Sequence, residues 1–198
     1  RGCWTDLLEV GQNITPKNVL HYLKAIYHAA CAVAELNGNP LAERRLLLDF
    51  PNLAERAERP QMAAALLGLL GGHSLESGIP ADWLTGWQIA FLAAAATGKA
   101  DPRIHAARLN YYLKAFQAMQ GSDNALAPLW PLLNTWTLAA TVLPSEQIKE
   151  WQAAVAQLGL SGAAFGEKVE GLDQFLDEVE ILLDEIASAN GLETSTSI

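Results

Sequence analysis

From Asn124 to Ser145 the chain carries no charged residue, the longest such stretch in the sequence. About 20 apolar residues suffice to cross the roughly 30 Å of a bilayer's hydrocarbon, so the segment either spans a membrane or lies inside a fold. Pro128, Pro131, Asn134, Thr135, Thr137 and Thr141 favour the fold, because hydrocarbon offers no partners to freed backbone and side-chain polar groups. The stretch reads as a proline-punctuated loop followed by a buried helix over Leu132–Leu143. A helix apolar on most of its sides needs others around it.

The remaining residues are suited to build them. The 198 residues include 33 Ala and 32 Leu against 7 Val and 9 Ile. Unbranched side chains keep their rotamer freedom in helices, whereas strands favour the branched ones that are scarce here. Nowhere do β-branched and polar residues alternate between turn signals, so no strand is expected. With 51% hydrophobic and 18% charged residues, the chain is globular. Its length suits one helical domain over 1–190 with a flexible tail at 191–198. The expected fold is all-α, a compact multi-helix bundle of about seven to nine helices. A weak echo between Tyr22–Ile26 and Tyr112–Phe116 points to two half-repeats near 16–100 and 102–190.

Helix boundaries follow from caps, prolines and glycines. Thr15-Pro16 opens a helix that Asn37-Gly38 closes near Leu36. Leu41–Asp49 forms a short helix stopped near Pro51, and Asn52–Arg59 a charged third. Gln61–Leu70, nearly all Ala and Leu, is expected at the centre of the fold. Ala81–Thr97 carries Trp83, Trp87 and Phe91 as a ridge along one side. Asp101-Pro102 caps a helix reaching Gln120, Pro144-Ser145 opens one ending near Gly159, and Ala163–Asn190 is the last, closed by Gly191.

The net charge of −9 is uneven. Beyond Ala163 the acids Glu167, Glu170, Asp173, Asp177, Glu178, Glu180, Asp184, Glu185 and Glu193 are balanced only by Lys168. Along the last helix Val169, Leu172, Leu176, Val179, Leu183 and Ile186 repeat by threes and fours as an apolar seam flanked by a solvated acidic face. No segment has the basic stripe that phosphate binding requires, since Arg44, Arg45, Arg56 and Arg59 alternate with Glu43, Asp49, Glu55 and Glu58. Nucleic acid and membrane are therefore not expected as partners. The chain starts at Arg1 instead of Met, as a processed form or a fragment does, and a cytoplasmic location is the expectation.

Polar chemistry concentrates on the first helix, where His21, Lys24, His28, Cys31 and Glu35 share one stripe opposite Leu23, Ile26, Ala30, Val33 and Ala34. His, Cys and Glu are metal ligands and proton carriers, but residues seven apart are separated by about 10.5 Å of helical rise, too far to share an ion. Only His28 and Cys31 are close enough, which makes them weak metal candidates and leaves no cofactor expected. No nucleophile elbow, P-loop or dinucleotide fingerprint occurs. The second candidate set is aromatic. A tryptophan is costly to bury unless its indole N–H finds an acceptor, so Trp130 and Trp136, with Asn134 and Thr135 between them, mark either core or a pocket. Trp83, Trp87, Tyr111 and Tyr112 are the other ligand-binding candidates.

These features point to a non-catalytic helical module that binds a protein partner, a second copy of itself or a small molecule. A homodimer interface is expected at the Trp83/Trp87/Phe91 ridge or the seam of the last helix. Two expectations compete with this one. One is an enzyme whose His21, His28, Cys31, Glu35 and His105 meet across helices; the other is a helical substrate-binding partner of a nucleotidyltransferase-like catalytic chain.

Overall fold

Thr15 begins the first helix with a reciprocal pair of hydrogen bonds. Its Oγ1 accepts from the Asn18 N–H (3.4 Å) and its own N–H donates to Asn18 Oδ1 (2.9 Å), so donors that the first turn leaves without helical partners are satisfied. The computed structural model describes residues 14–36, 38, 40–75, 78–122 and 124–191. Among them eight α-helices follow in chain order: α1 (Pro16–Glu35), α2 (Leu46–Arg56), α3 (Gln61–Leu69), α4 (Ala81–Ala96), α5 (Leu109–Gln120), α6 (Leu129–Ala140), α7 (Lys149–Gln157) and α8 (Ala164–Ala189). Single 3-10 turns precede α2, α5 and α7 and follow α3. The described residues form no strand, and the architecture is the expected all-α bundle.

α6 is its axis. Every residue from Leu129 to Ala140 is buried, with α1, α2, α4 and α7 packed around it. Pro131 sits in the first turn, where a missing N–H removes no helical bond, so the helix begins at Leu129 rather than Leu132. Two threonines allow tryptophans to be buried against it. Trp87 of α4 donates from Nε1 to Thr135 Oγ1 (2.8 Å), and Trp151 of α7 donates to Thr137 Oγ1 (3.0 Å). Thr135 Oγ1 in turn donates to the Pro131 carbonyl (2.6 Å). A buried donor left unpaired costs about 1–3 kcal/mol, so the same threonines that argue against a membrane span let a tryptophan-rich core close.

Other readings of the sequence need correction as well. Pro51 does not separate two helices but lies inside α2. Leu46, Leu47, Phe50, Leu53 and Ala54 make one buried face on both sides of it, and the Leu47 carbonyl, which proline cannot serve, accepts from Asn124 Nδ2 instead (2.9 Å). α3 is peripheral: Met62, Leu66 and Leu69 are buried, whereas Ala64 and Ala65 face solvent. Alanine exposes little apolar area, so a uniform Ala/Leu run need not be central. Asp101-Pro102 opens no helix, because the Asp101 carboxylate accepts from the Arg103 N–H and guanidinium (both 2.9 Å). α5 starts only at Leu109, after a turn capped by His105 Nδ1, which accepts from the Ala107 N–H (3.3 Å).

The carboxyl end of α3 is held from two sides. Lys168 Nζ donates to the Gly68 carbonyl and the Tyr22 hydroxyl to that of Leu69 (3.0 Å). Gly71, at φ +73°, lets the Leu158 backbone pass where any Cβ would collide. The Trp83/Trp87/Phe91 ridge lies in the chain's own core, so it is not the open dimer face expected from sequence. In α8 the buried set is Phe165, Val169, Leu172, Phe175, Val179 and Leu182, with Leu176, Leu183 and Ile186 only partly covered. The seam is thus turned toward Phe175 and Leu182 and packs against α1 and α3. No helix of the described residues is long and apolar enough to cross a membrane. The expectation of a tail at 191–198 lies outside the described residues beyond Gly191.

Candidate functional site

Arg44 and Arg45, in the turn before α2, border one side of a cleft, and Tyr111, Lys114, Ala115, Ala118 and Met119 of α5 border the other. Their spacing in α5 is that of a single helical stripe. The groove between them has a volume of about 560 Å³, with Leu48, Ala115, Ala118 and Met119 as its apolar lining and Ser122 just past the end of α5. Tyr111 is 50% exposed. The Arg44 guanidinium lies 4.6 Å from its ring centroid, a cation–π contact that holds both side chains at the rim. Arg45 is tied to Asp49 through two bonds (2.8 and 2.7 Å), whereas among the described residues neither Arg44 nor Lys114 has a carboxylate at ion-pair distance. Among the described residues the lining holds three cations and no acid, in a chain whose net charge is −9.

A polar knot anchors the turn that carries Arg44 and Arg45. Glu43 Oε1 accepts from Arg103 Nη1 (2.6 Å) and from Asn134 Nδ2 of α6 (2.8 Å). Arg103 also donates to Asp101 through Nε (2.9 Å) and Nη2 (3.1 Å). These bonds hold the Asp101 carboxyl below the usual carboxylate range, against the opposing effect of its partial burial. Through Asn134 the arginines at the groove are positioned by the central helix. Against the knot lies a cavity of about 30 Å³, bounded also by Arg44, Tyr112, Trp130 and Thr135. That is room for ordered water and not for an organic ligand. Trp130 Nε1 is the one buried side-chain polar atom among the described residues without a protein partner.

Five of the six aromatic candidates are core. Trp83 stands edge-on to Trp136 (ring centroids 6.4 Å apart), and Trp87 packs among Phe91, Tyr112 and Phe116 (5.2, 6.2 and 4.9 Å). Trp130 stacks on Tyr27 (5.9 Å). Tyr111 alone opens to the groove, with Tyr112 edge-on to it (5.6 Å). Trp136 also walls a separate recess of about 430 Å³ beside Gly86 and Ile89, whose charges are mixed: Glu146, Lys149 and Glu150. His28 is exposed and Cys31 half-buried on the outer stripe of α1. Burial pushes the Cys31 thiol up, reinforced by Glu35 and Glu43 and opposed by a hydrogen bond with Tyr27. Among the described residues no three His, Cys, Asp or Glu side chains are placed to hold a metal ion.

Sequence reasoning missed Arg44, Leu48, Lys114 and Met119. The sign was present as the stripe through Tyr111, Lys114, Ala118 and Ser122, but it was masked by the mixed charges around Arg44. Of those acids Glu43 bonds Arg103 and Asp49 bonds Arg45, which leaves Arg44 without a carboxylate among the described residues. No protein-family model, curated protein or solved structure matches this chain.

Proposed function

We propose that this chain is a non-catalytic helical binding module whose working surface is the groove between α5 and the amino end of α2. The observation that carries the reading is a half-exposed tyrosine held by an arginine over an apolar lining, ringed, among the described residues, by three cations and no acid. A volume of about 560 Å³ lies in the range of small-molecule sites, about 300–1,000 Å³. Covering the exposed Tyr111 face and the alanine and methionine lining would remove apolar surface from water, which is the main source of binding free energy for such a ligand. The absence of a reaction in this proposal rests on the polar candidates themselves. The Cys31 thiol is held in its neutral form, the reverse of an activated nucleophile, and His105 is engaged as a turn cap.

The test uses N-phenyl-1-naphthylamine, an uncharged probe whose fluorescence rises in apolar surroundings. Ala118 is exposed on α5, so Ala118→Trp fills the groove from a position where the fold tolerates a large side chain. The expected result is probe binding by the wild-type protein and its loss in Ala118→Trp, with unchanged far-UV circular dichroism. Absence of binding, or binding indifferent to the tryptophan, would remove the groove as the working surface.

A further inference from the structure

Resting on that reading of the groove, we infer that its ligand is a small amphiphilic anion, a flat or chain-like apolar body carrying one acidic head. The electrostatics of the chain make the lining specific. A net charge of −9 repels anions at long range, yet Arg44, Arg45 and Lys114 converge on one groove whose lining, among the described residues, includes no carboxylate. Arg45 is neutralised by Asp49. Arg44 and Lys114 are not so engaged, and they stand on opposite walls, so an acid between them meets a cation from each side.

The Arg44 geometry strengthens the argument. Its guanidinium lies with its carbon over the Tyr111 ring, an arrangement that leaves N–H groups available for the two-pronged contact that planar guanidinium makes with a carboxylate or phosphate. The tyrosine holds the cation in place, so less side-chain entropy is lost when the acid arrives. The body of the ligand then lies along α5 toward Ala118, Met119 and Ser122. From Tyr111 to Gln120, its last residue, α5 rises about 14 Å, a length that suits a molecule of two or three rings or an equivalent alkyl chain. The occupant is a free small molecule, because a groove of about 560 Å³ matches the size of small-molecule sites.

The experiment compares 1-anilinonaphthalene-8-sulfonate with N-phenyl-1-naphthylamine, the same aromatic body with and without an acid. At about 0.01 M salt the sulfonate probe is expected to bind wild-type protein about tenfold tighter, a gap of about 1.4 kcal/mol, and the gap should close toward about 1 M salt, where screening is nearly complete. Lys114→Gln and Arg44→Gln each weaken the sulfonate probe several-fold more than they weaken the neutral probe. Both variants sit on the surface, and circular dichroism verifies their fold. Equal affinities for the two probes, a salt-independent gap, or Gln variants that bind the sulfonate as wild type does would overturn the anion assignment. If the neutral probe still binds and is displaced by Ala118→Trp, the groove reading survives that failure. If neither probe binds, both fall together.

Discussion

Asn124→Ala removes the donor that occupies the Leu47 carbonyl. Pro51 has no N–H to replace it, so the carbonyl of a buried leucine is left without a partner, and the Leu126 N–H loses Asn124 Oδ1 as well (3.1 Å). An unpaired, partly buried acceptor costs about 1–3 kcal/mol and a loop hydrogen bond contributes about 0.5–1.5 kcal/mol. The expected destabilisation is therefore about 1.5–4.5 kcal/mol. In a Pro51→Ala background the restored helical N–H reaches Leu47 by itself, and Asn124→Ala should cost only the loop bond, about 1 kcal/mol. The coupling between the two positions is then at least about 1 kcal/mol, clear of the roughly 0.3–0.5 kcal/mol within which independent sites add. Urea unfolding of the four proteins, followed by far-UV circular dichroism, measures it. The absolute effect of Pro51→Ala is not needed, since losing a proline also changes the entropy of the unfolded chain. Additivity within about 0.5 kcal/mol would refute the idea that Asn124 substitutes for the missing helical bond.

Thr135→Val keeps the shape of the side chain but leaves the Trp87 indole N–H unpaired in the core, and the expected loss is about 1–3 kcal/mol in urea unfolding; a change under about 0.5 kcal/mol would contradict it. Burial keeps the Tyr22 hydroxyl protonated well above its ordinary range. The unfolded chain ionises near pH 10, so the native state then binds more protons and stability falls by about 1.4 kcal/mol per pH unit for such a tyrosine. Burial acts on Tyr27 in the same direction. Lys168 acts in the opposite sense, because burial lowers its pKa and the cost of holding the ammonium is relieved as pH rises. With two tyrosines against one lysine, tyrosinate absorbance in alkali should be completed only together with loss of helix, and ionisation of all four tyrosines ahead of unfolding would contradict this. On the acid side, Arg103 lowers the Asp101 pKa, so this contribution to stability is present above about pH 4 and lost as pH falls through the folded-state value. Arg103→Gln should therefore lower stability at neutral pH and flatten the acid limb of a pH titration of the melting temperature, whereas parallel acid limbs would count against the pair.

The helices were legible in the sequence wherever the signal was local. Thr15-Pro16 and Gly191 mark boundaries that need only the chain's own neighbours, the uncharged stretch marks a buried helix, and the amphipathic face of α1 falls where its spacing puts it. What failed was set by partners distant in sequence. Pro51 reads as a stop because nothing nearby shows that Asn124 will serve Leu47, and Asp101 reads as a cap because its bond to Arg103 depends on how the loop folds. The candidate site was half legible for a related reason. Tyr111 was named for its chemistry, but the charge pattern around Arg44 looked neutral along the chain and becomes basic only once Glu43 and Asp49 turn to other arginines. Five aromatic candidates proved to be core because a buried indole and a pocket-lining one have the same sequence signature until the acceptor is located.

The most direct test of the binding groove is a two-dimensional amide NMR spectrum of the wild-type protein titrated with 1-anilinonaphthalene-8-sulfonate. The groove predicts shifts confined to the backbone around Arg44, Arg45 and Leu48 and along α5 from Tyr111 to Ser122. Shifts centred instead on the exposed Ile89 and Leu92 of α4, or spread evenly over the bundle, would contradict it.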